Sequence, residues 1–284
     1  MRLLVLWVSL WPERWALGFG EGLGHLAHAL GLRRRVVLEN LAQVFPEQTP
    51  EQRQALARAH YGHLGRAAME FFRAGSWTDA DWDARIDPFE WSVWQRAHAE
   101  GNGSIVAVAH LGNFELLAAY GAHRREPLTV VTRQLRGTFN RAWLALRGEL
   151  GVRELRGRNV IAQMLGVLRE RGVLAVVIDQ NMLPKRALFV PLFGRQAATT
   201  PAPAVLAERT GAPVVLAALA RLPDGRFRVR VLGPFRSHGA GAEAQQALMA
   251  ELNAALEGLI RAYPEQWFWV HRRWKTRPPG EHKP

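Results

Sequence analysis

Short apolar runs alternate along the chain with longer stretches in which apolar residues recur every three or four positions. The runs at 104–109, 128–132, 174–178, 188–191, 214–220 and 227–232 predict strands. The stretches at 114–123, 140–150, 160–171, 203–210 and 242–262 predict helices between and after them. Upstream, Thr49-Pro50-Glu51 opens a helix running to about Phe72, with Thr at the cap and Pro in the first turn. Positions 77–90 read as a loop or short helix. Strands alternating with helices predict an α/β fold, a mixed, largely parallel sheet flanked by helices. No linker divides residues 33–284, which read as one domain.

Residues 1–32 follow a different pattern. Met1-Arg2 precedes an apolar run from Leu3 to Trp11, and Pro12-Glu13-Arg14 separates it from a second apolar stretch ending at Leu32. The first is too short to span a bilayer, which takes ~20 residues, and the second carries glycines and Glu21. With one arginine before the run and no small-residue cleavage site after it, a cleaved leader fits poorly. The segment reads as a hydrophobic N-terminal helical anchor: Trp7, Trp11 and Trp15 suit an interface, and Arg33-Arg34-Arg35 suits an acidic leaflet. A buried first helix is the alternative reading.

Composition narrows the partners. The 284 residues are 48% hydrophobic and 22% charged, with a formal net charge of +12 and no cysteine. Such a charge points to an anionic partner: an acidic membrane, a nucleic acid, or an acidic protein or substrate. Arginine supplies nearly all of it, since the lysines are Lys185, Lys275 and Lys283. Arginine favours bidentate phosphate and carboxylate contacts, and a GC-rich genome would give the same bias. The missing cysteine excludes disulfides, a thiolate nucleophile and a thiolate-ligated metal.

The most telling segment is His110-Leu111-Gly112-Asn113-Phe114-Glu115, just after the apolar run 104–109. A strand that ends, turns at Gly112 and starts a helix sets His110 at the strand's carboxyl edge and Glu115 in the first helical turn. A histidine oriented by a carboxylate is a general base near neutral pH; the alternative is a satisfied histidine with a helix-capping Glu. Ligands of such sheets gather at the strands' carboxyl ends. There follow Arg133 and Arg136 after the second strand, Asp179-Gln180-Asn181 after the third, and Phe193-Gly194-Arg195 after the fourth, before Thr199-Thr200-Pro201 as a helix start. A base, carboxylates, arginines and amides at one edge suit transfer onto a hydroxyl near phosphate groups.

Beyond that segment stand Arg34 to Leu41 leading to Phe45-Pro46-Glu47, Val177-Ile178-Asp179-Gln180-Asn181, Val190 to Arg195, Thr210 to Val215, and Pro264 to Lys275. In this order the blocks resemble the late acyltransferases of lipid A biosynthesis, the lauroyl/myristoyl acyltransferase family within the lysophospholipid acyltransferase superfamily. The resemblance spans nearly the whole chain. It implies that 33–284 is an acyltransferase domain and that 1–32 associates with the cytoplasmic face of a bacterial inner membrane. The reaction it implies carries a fatty acyl group from acyl carrier protein or acyl-CoA to a hydroxyl of a lipid A precursor or related anionic glycolipid, without a cofactor or metal. The family's base maps onto His110 and its acidic partner onto Glu115. In that mechanism His110 takes the acceptor proton, Glu115 fixes its tautomer, Arg133, Arg147 and Arg158 are candidates for phosphate or oxyanion contacts, and Asp179 supports the site. Many superfamily members have aspartate in place of Glu115, and other clades acylate phosphatidylinositol mannosides, aminolipids or lysophospholipids, so the acceptor and the acyl length stay open.

Two other function classes compete. The run Trp267–Arg277 interleaves aromatics with base, a pattern that binds single-stranded nucleic acid, sits in lipid or packs by cation–π contact. No nucleic-acid motif accompanies it, so no nucleic-acid partner is expected. A metal hydrolase on His110 and Glu115 lacks H-E-x-x-H or further clustered ligands.

Overall fold

From Ser104 to Gly112 every residue of the central strand is buried except His110. The computed structural model describes residue 8 and residues 10–126, 128–131, 137–156 and 159–280. In chain order the elements are α1 (Glu13–Ala29), α2 (Arg34–Val44), α3 (Pro50–Ala74), α4 (Asp79–Arg85), β1 (Ile86–Asp87), α5 (Trp91–His98), β2 (Ser104–Gly112), α6 (Phe114–His123), β3 (Leu128–Val131) and α7 (Thr138–Glu149). They continue with β4 (Arg153–Leu155), α8 (Val160–Arg169), β5 (Val173–Val177), β6 (Leu188–Leu192), β7 (Arg195–Thr199), α9 (Ala202–Thr210), β8 (Val214–Arg221), β9 (Phe227–Phe235) and α10 (Ala242–Ala262).

The main sheet has seven strands in the order β1-β9-β8-β2-β5-β3-β4, and among its pairings β8–β9 alone is antiparallel. The expected mixed, mostly parallel sheet is therefore what the chain builds. Side chains alternate across β2: Ile105, Ala107 and Ala109 join one core with α2, α9 and α10 residues, while Val106 and Val108 join the other with α5 and α6 residues. Burial on both faces explains the unbroken apolar run.

One expected strand belongs elsewhere. The run at 188–191 is not in the main sheet; β6 pairs antiparallel with β7 as a separate hairpin. Phe193-Gly194 is accordingly that hairpin's turn, both at positive φ, and Arg195 opens β7 opposite Leu192 rather than standing at the main sheet's edge. Helix α3 starts as expected, with a Thr49/Gln52 capping box and Pro50 in its first turn.

Helix α1 lies along α3 through a seam of glycines. A Cβ at Gly24 would come 1.9 Å from Tyr61 O, and one at Gly65 1.8 Å from Gly20 O, so the backbones meet where side chains are missing. Glu21 pairs with Arg66 of α3 at 2.5 Å. Outward, Trp15, Phe19, Leu23 and Leu26 form an exposed apolar stripe that continues to Leu30 and Leu32. Among the described residues no helix is long and apolar enough to cross a membrane. The run before Val8 lies outside the described residues.

Candidate active site

Backbone geometry re-aims His110. Between Val108 and Gly112 the β2–β8 register shifts: Val108 is opposite Ala217, Gly112 opposite Leu219. The extra residues bulge the strand and turn one side chain out of the pleat. Gly112 has φ +64, and a Cβ there would sit 2.0 Å from Leu219 O, so the turn requires glycine. Asn113 caps α6 through Oδ1, which accepts from Leu116 N at 3.2 Å. Its Nδ2 donates to Ala67 O at 3.1 Å and to Glu70 Oε2 at 2.9 Å. Glu70 in turn forms a buried ion pair with Arg221, locking the loop to α3 and β8.

The carboxylate on His110 is that of Asp179. Asp179 Oδ1 lies 2.8 Å from His110 Nδ1, and Oδ2 accepts from His110 N at 2.8 Å and from Trp267 Nε1 at 2.9 Å. Burial by itself would disfavour both charges. The pair outweighs it, so the Asp179 carboxyl is held below its usual range and the His110 imidazole above 6.5. Nε2 of His110 is left toward the Gln180 amide, 3.3 Å away. Phe114 meets the ring edge-on at 4.6 Å between centroids, and Phe268 lies tilted against it at 5.6 Å.

Glu115, expected on His110, is engaged elsewhere. Its Oε1 accepts from Trp143 Nε1 at 2.9 Å and Arg147 Nη2 at 2.6 Å, and its Oε2 from Arg147 Nε at 2.7 Å. The H-x4-E spacing brings Glu115 within electrostatic range of His110, but the helical turn presents its carboxylate to α7. Arg147 is held on its other side by Glu154 at 3.2 Å, so two carboxylates occupy the guanidinium proposed for phosphate or oxyanion. Arg133, Arg136 and Arg158 lie outside the described residues.

Nothing in local spacing points to the C-terminal segment as a wall of this site; the signal is the Trp267–Lys275 block. Phe268 N donates to His110 O at 2.9 Å, and Leu111 bridges Trp267. His271 Nε2 accepts from Asn181 N at 2.8 Å, and burial lowers its pKa, in keeping with a neutral acceptor. Asn40 of α2 donates to Trp269 O at 2.7 Å and to His271 O at 2.8 Å. Arg273 is buried against Ala198 O and Thr199 Oγ1 at 2.8 and 2.6 Å, with burial lowering its pKa to about 10. Trp267, Trp269 and Trp274 are core residues, which leaves their faces unavailable for stacking on bases. Among the described residues no three His, Asp or Glu side chains converge to hold a metal ion.

A histidine with a carboxylate on Nδ1 and Nε2 directed outward can remove a proton from a hydroxyl. Comparison with known proteins gives that arrangement a setting. Residues 2–276 match the model of the bacterial lipid A biosynthesis acyltransferase family. The chain is 29% identical to the lipid A biosynthesis lauroyltransferase of Escherichia coli, over 97% of this chain and 90% of that protein. It is 27% identical to the palmitoleoyltransferase of the same organism, over 99% and 91%. A phosphatidylinositol mannoside acyltransferase of Mycolicibacterium smegmatis is 25% identical, over 94% and 88%. With the family model covering nearly the whole length and these acyltransferases matched over most of theirs, the chain belongs to the bacterial lipid A biosynthesis acyltransferase family and is an acyltransferase.

Proposed function

We propose that the protein moves a fatty acyl group from an acyl carrier protein or acyl-CoA thioester to a hydroxyl of a lipid A precursor or related glycolipid, with His110 as general base. The observation that carries the mechanism is Asp179 Oδ1 at 2.8 Å from His110 Nδ1. With Nδ1–H donating its hydrogen bond to that carboxylate, Nε2 is the basic nitrogen. The acceptor hydroxyl displaces the Gln180 amide from Nε2 and loses its proton there as its oxygen attacks the thioester carbon. The tetrahedral oxyanion collapses, the carbon–sulfur bond breaks, and the leaving thiolate takes the proton back from the imidazolium. Asp179 is the orienting carboxylate. Glu115 holds Trp143 and Arg147 against α6 and adds negative potential near the ring. Once displaced, the Gln180 N–H is the donor offered to the oxyanion.

Apolar stripe and arginine-rich charge together support an enzyme that works at the cytoplasmic face of a bacterial inner membrane, lying on the lipid through residues 1–32 and α1. A second reading, a phosphatidylinositol mannoside acceptor, has the mycobacterial relative in its favour. Mass spectrometry of total lipids from cells with the wild-type protein, with His110→Ala and without either reports acceptor and acyl chain together. The expected result is one lipid class gaining an acyl chain only with wild-type protein. The same gain with His110→Ala would end the mechanism.

A further inference from the structure

The N-terminal end of α2 and the segment after Trp269 enclose a cleft of about 830 Å³ to which the acyl-transfer steps above assign nothing. Its charged lining is Arg33, Arg35, Arg272, Lys275 and Arg277 against one carboxylate, Glu39, and Glu39 already lies 2.7 Å from Arg35 Nε. Helix α2 adds potential of the same sign. Its N-cap is Arg33 in a left-handed conformation, with no side-chain cap and no acidic residue in the first turn, so the positive end of the helix dipole stands in the cleft wall. Trp274, another wall residue, is nine-tenths buried and gives the cleft a rigid floor.

The chemistry and the position of the cleft identify its ligand. Guanidinium-rich surroundings match the oxygens of a phosphate group. The exposed stripe of α1 runs through Leu30 and Leu32 to Gly31 and Arg33 at the rim, so a helix resting in lipid on that stripe sets the cleft at headgroup depth. The segment after Phe268 also links the cleft to His110. Phe268 packs on His110, and Arg272 follows four residues later, at most about 14 Å of chain away.

We propose that this cleft is a phosphate subsite for the acceptor lipid, holding a headgroup phosphate of the same molecule whose hydroxyl is presented to His110. The inference rests on the reading that the chain acylates a membrane lipid. The test compares the wild-type protein with a triple variant, Arg33→Gln, Arg272→Gln and Lys275→Gln, all exposed positions, after circular dichroism has matched their folds. Each is assayed on a phosphorylated glycolipid acceptor and on the same acceptor treated with phosphatase. In the wild type the phosphorylated acceptor has the lower KM; in the variant that advantage falls by about ten- to a hundred-fold toward parity. An unchanged advantage overturns the proposal, as does a loss confined to the KM of the acyl carrier protein, which would make the cleft a protein-docking surface. A variant that binds phosphatidylglycerol vesicles less well but keeps its preference for phosphorylated acceptor overturns it in favour of bulk lipid. The His110→Ala protein separates the two readings. Its binding to phosphatidylcholine vesicles doped with either acceptor reports on the cleft without turnover, and loss of the phosphate preference when the triple change is added is the expected result even if no acyl transfer is found.

Discussion

A base must be neutral before it can accept a proton, and the carboxylate beside His110 favours its charged form. The acid limb of kcat/KM is therefore expected to have its midpoint above the ordinary imidazole value of 6.5, with activity rising as pH rises through it. Asp179→Asn removes the charge that raises the imidazole, so it should move that limb to lower pH and cut kcat by about 10²–10⁴-fold. Glu115→Gln should cost less and leave the midpoint nearer its place. A pH–rate profile of the two variants checks this, and a larger shift with Glu115→Gln would return the orienting role to Glu115. Gln180→Ala is expected to lower kcat by about 10²-fold with a much smaller change in KM, since in the proposed mechanism the amide acts on charge that develops only during reaction. Steady-state kinetics at saturating donor measure it. The partner of His110 was not legible in local spacing. Asp179 is 69 positions away, and the two meet because β5 lies beside β2 with Val108 opposite Val177. Both residues could be placed at a sheet edge from sequence, whereas the strand order that joins them depends on packing across the whole domain.

At the scale of elements, long periodic segments were readable and short ones were not. Helices α6 and α10 stand where their apolar spacing puts them, because each has enough turns to show a face. Strands β1 and β4 have two and three residues, too few for any alternation to register, and they are strands only because a neighbour supplies hydrogen bonds. The β6 run resembles a main-sheet strand in composition, but its hairpin pairing with β7 is a tertiary choice. The α1–α3 seam gives a test at this scale. Gly24→Leu inserts a side chain where even a Cβ meets Tyr61 O, and should destabilise the protein by about 1–3 kcal/mol in urea unfolding. Substituting polar residues for Trp15, Phe19, Leu23 and Leu26 on the opposite face should leave that stability within about 0.5 kcal/mol and release the protein from phosphatidylglycerol vesicles in flotation. Continued tight binding would locate membrane contact elsewhere.

Over the whole molecule, the buried histidines of α3 set an acid limit. Burial lowers His60 to about 4 and His63 to about 3, against an ordinary 6.5. As pH falls below 6.5 the unfolded chain takes up protons on both imidazoles while the folded chain does not, so stability falls with pH down to about 4 and more slowly beyond. His110, shifted upward by Asp179, offsets part of the loss. Urea midpoints measured between pH 7 and 4 should decline, and His63→Gln should flatten the decline.

The segment that dresses the active site is also made late. All seven strands of the main sheet are complete by Phe235, yet Trp267 and Phe268, which hold Asp179 and the His110 backbone, come afterwards. On a ribosome adding ~5–20 residues per second, the sheet can assemble while His110 still lacks one wall and Asp179 one of its donors. A chain cut between those points would lose Trp267, Trp269 and Trp274 from the core together with one wall of His110. The same late segment therefore completes both the packing and the site, and a truncated product would not pass as a finished enzyme.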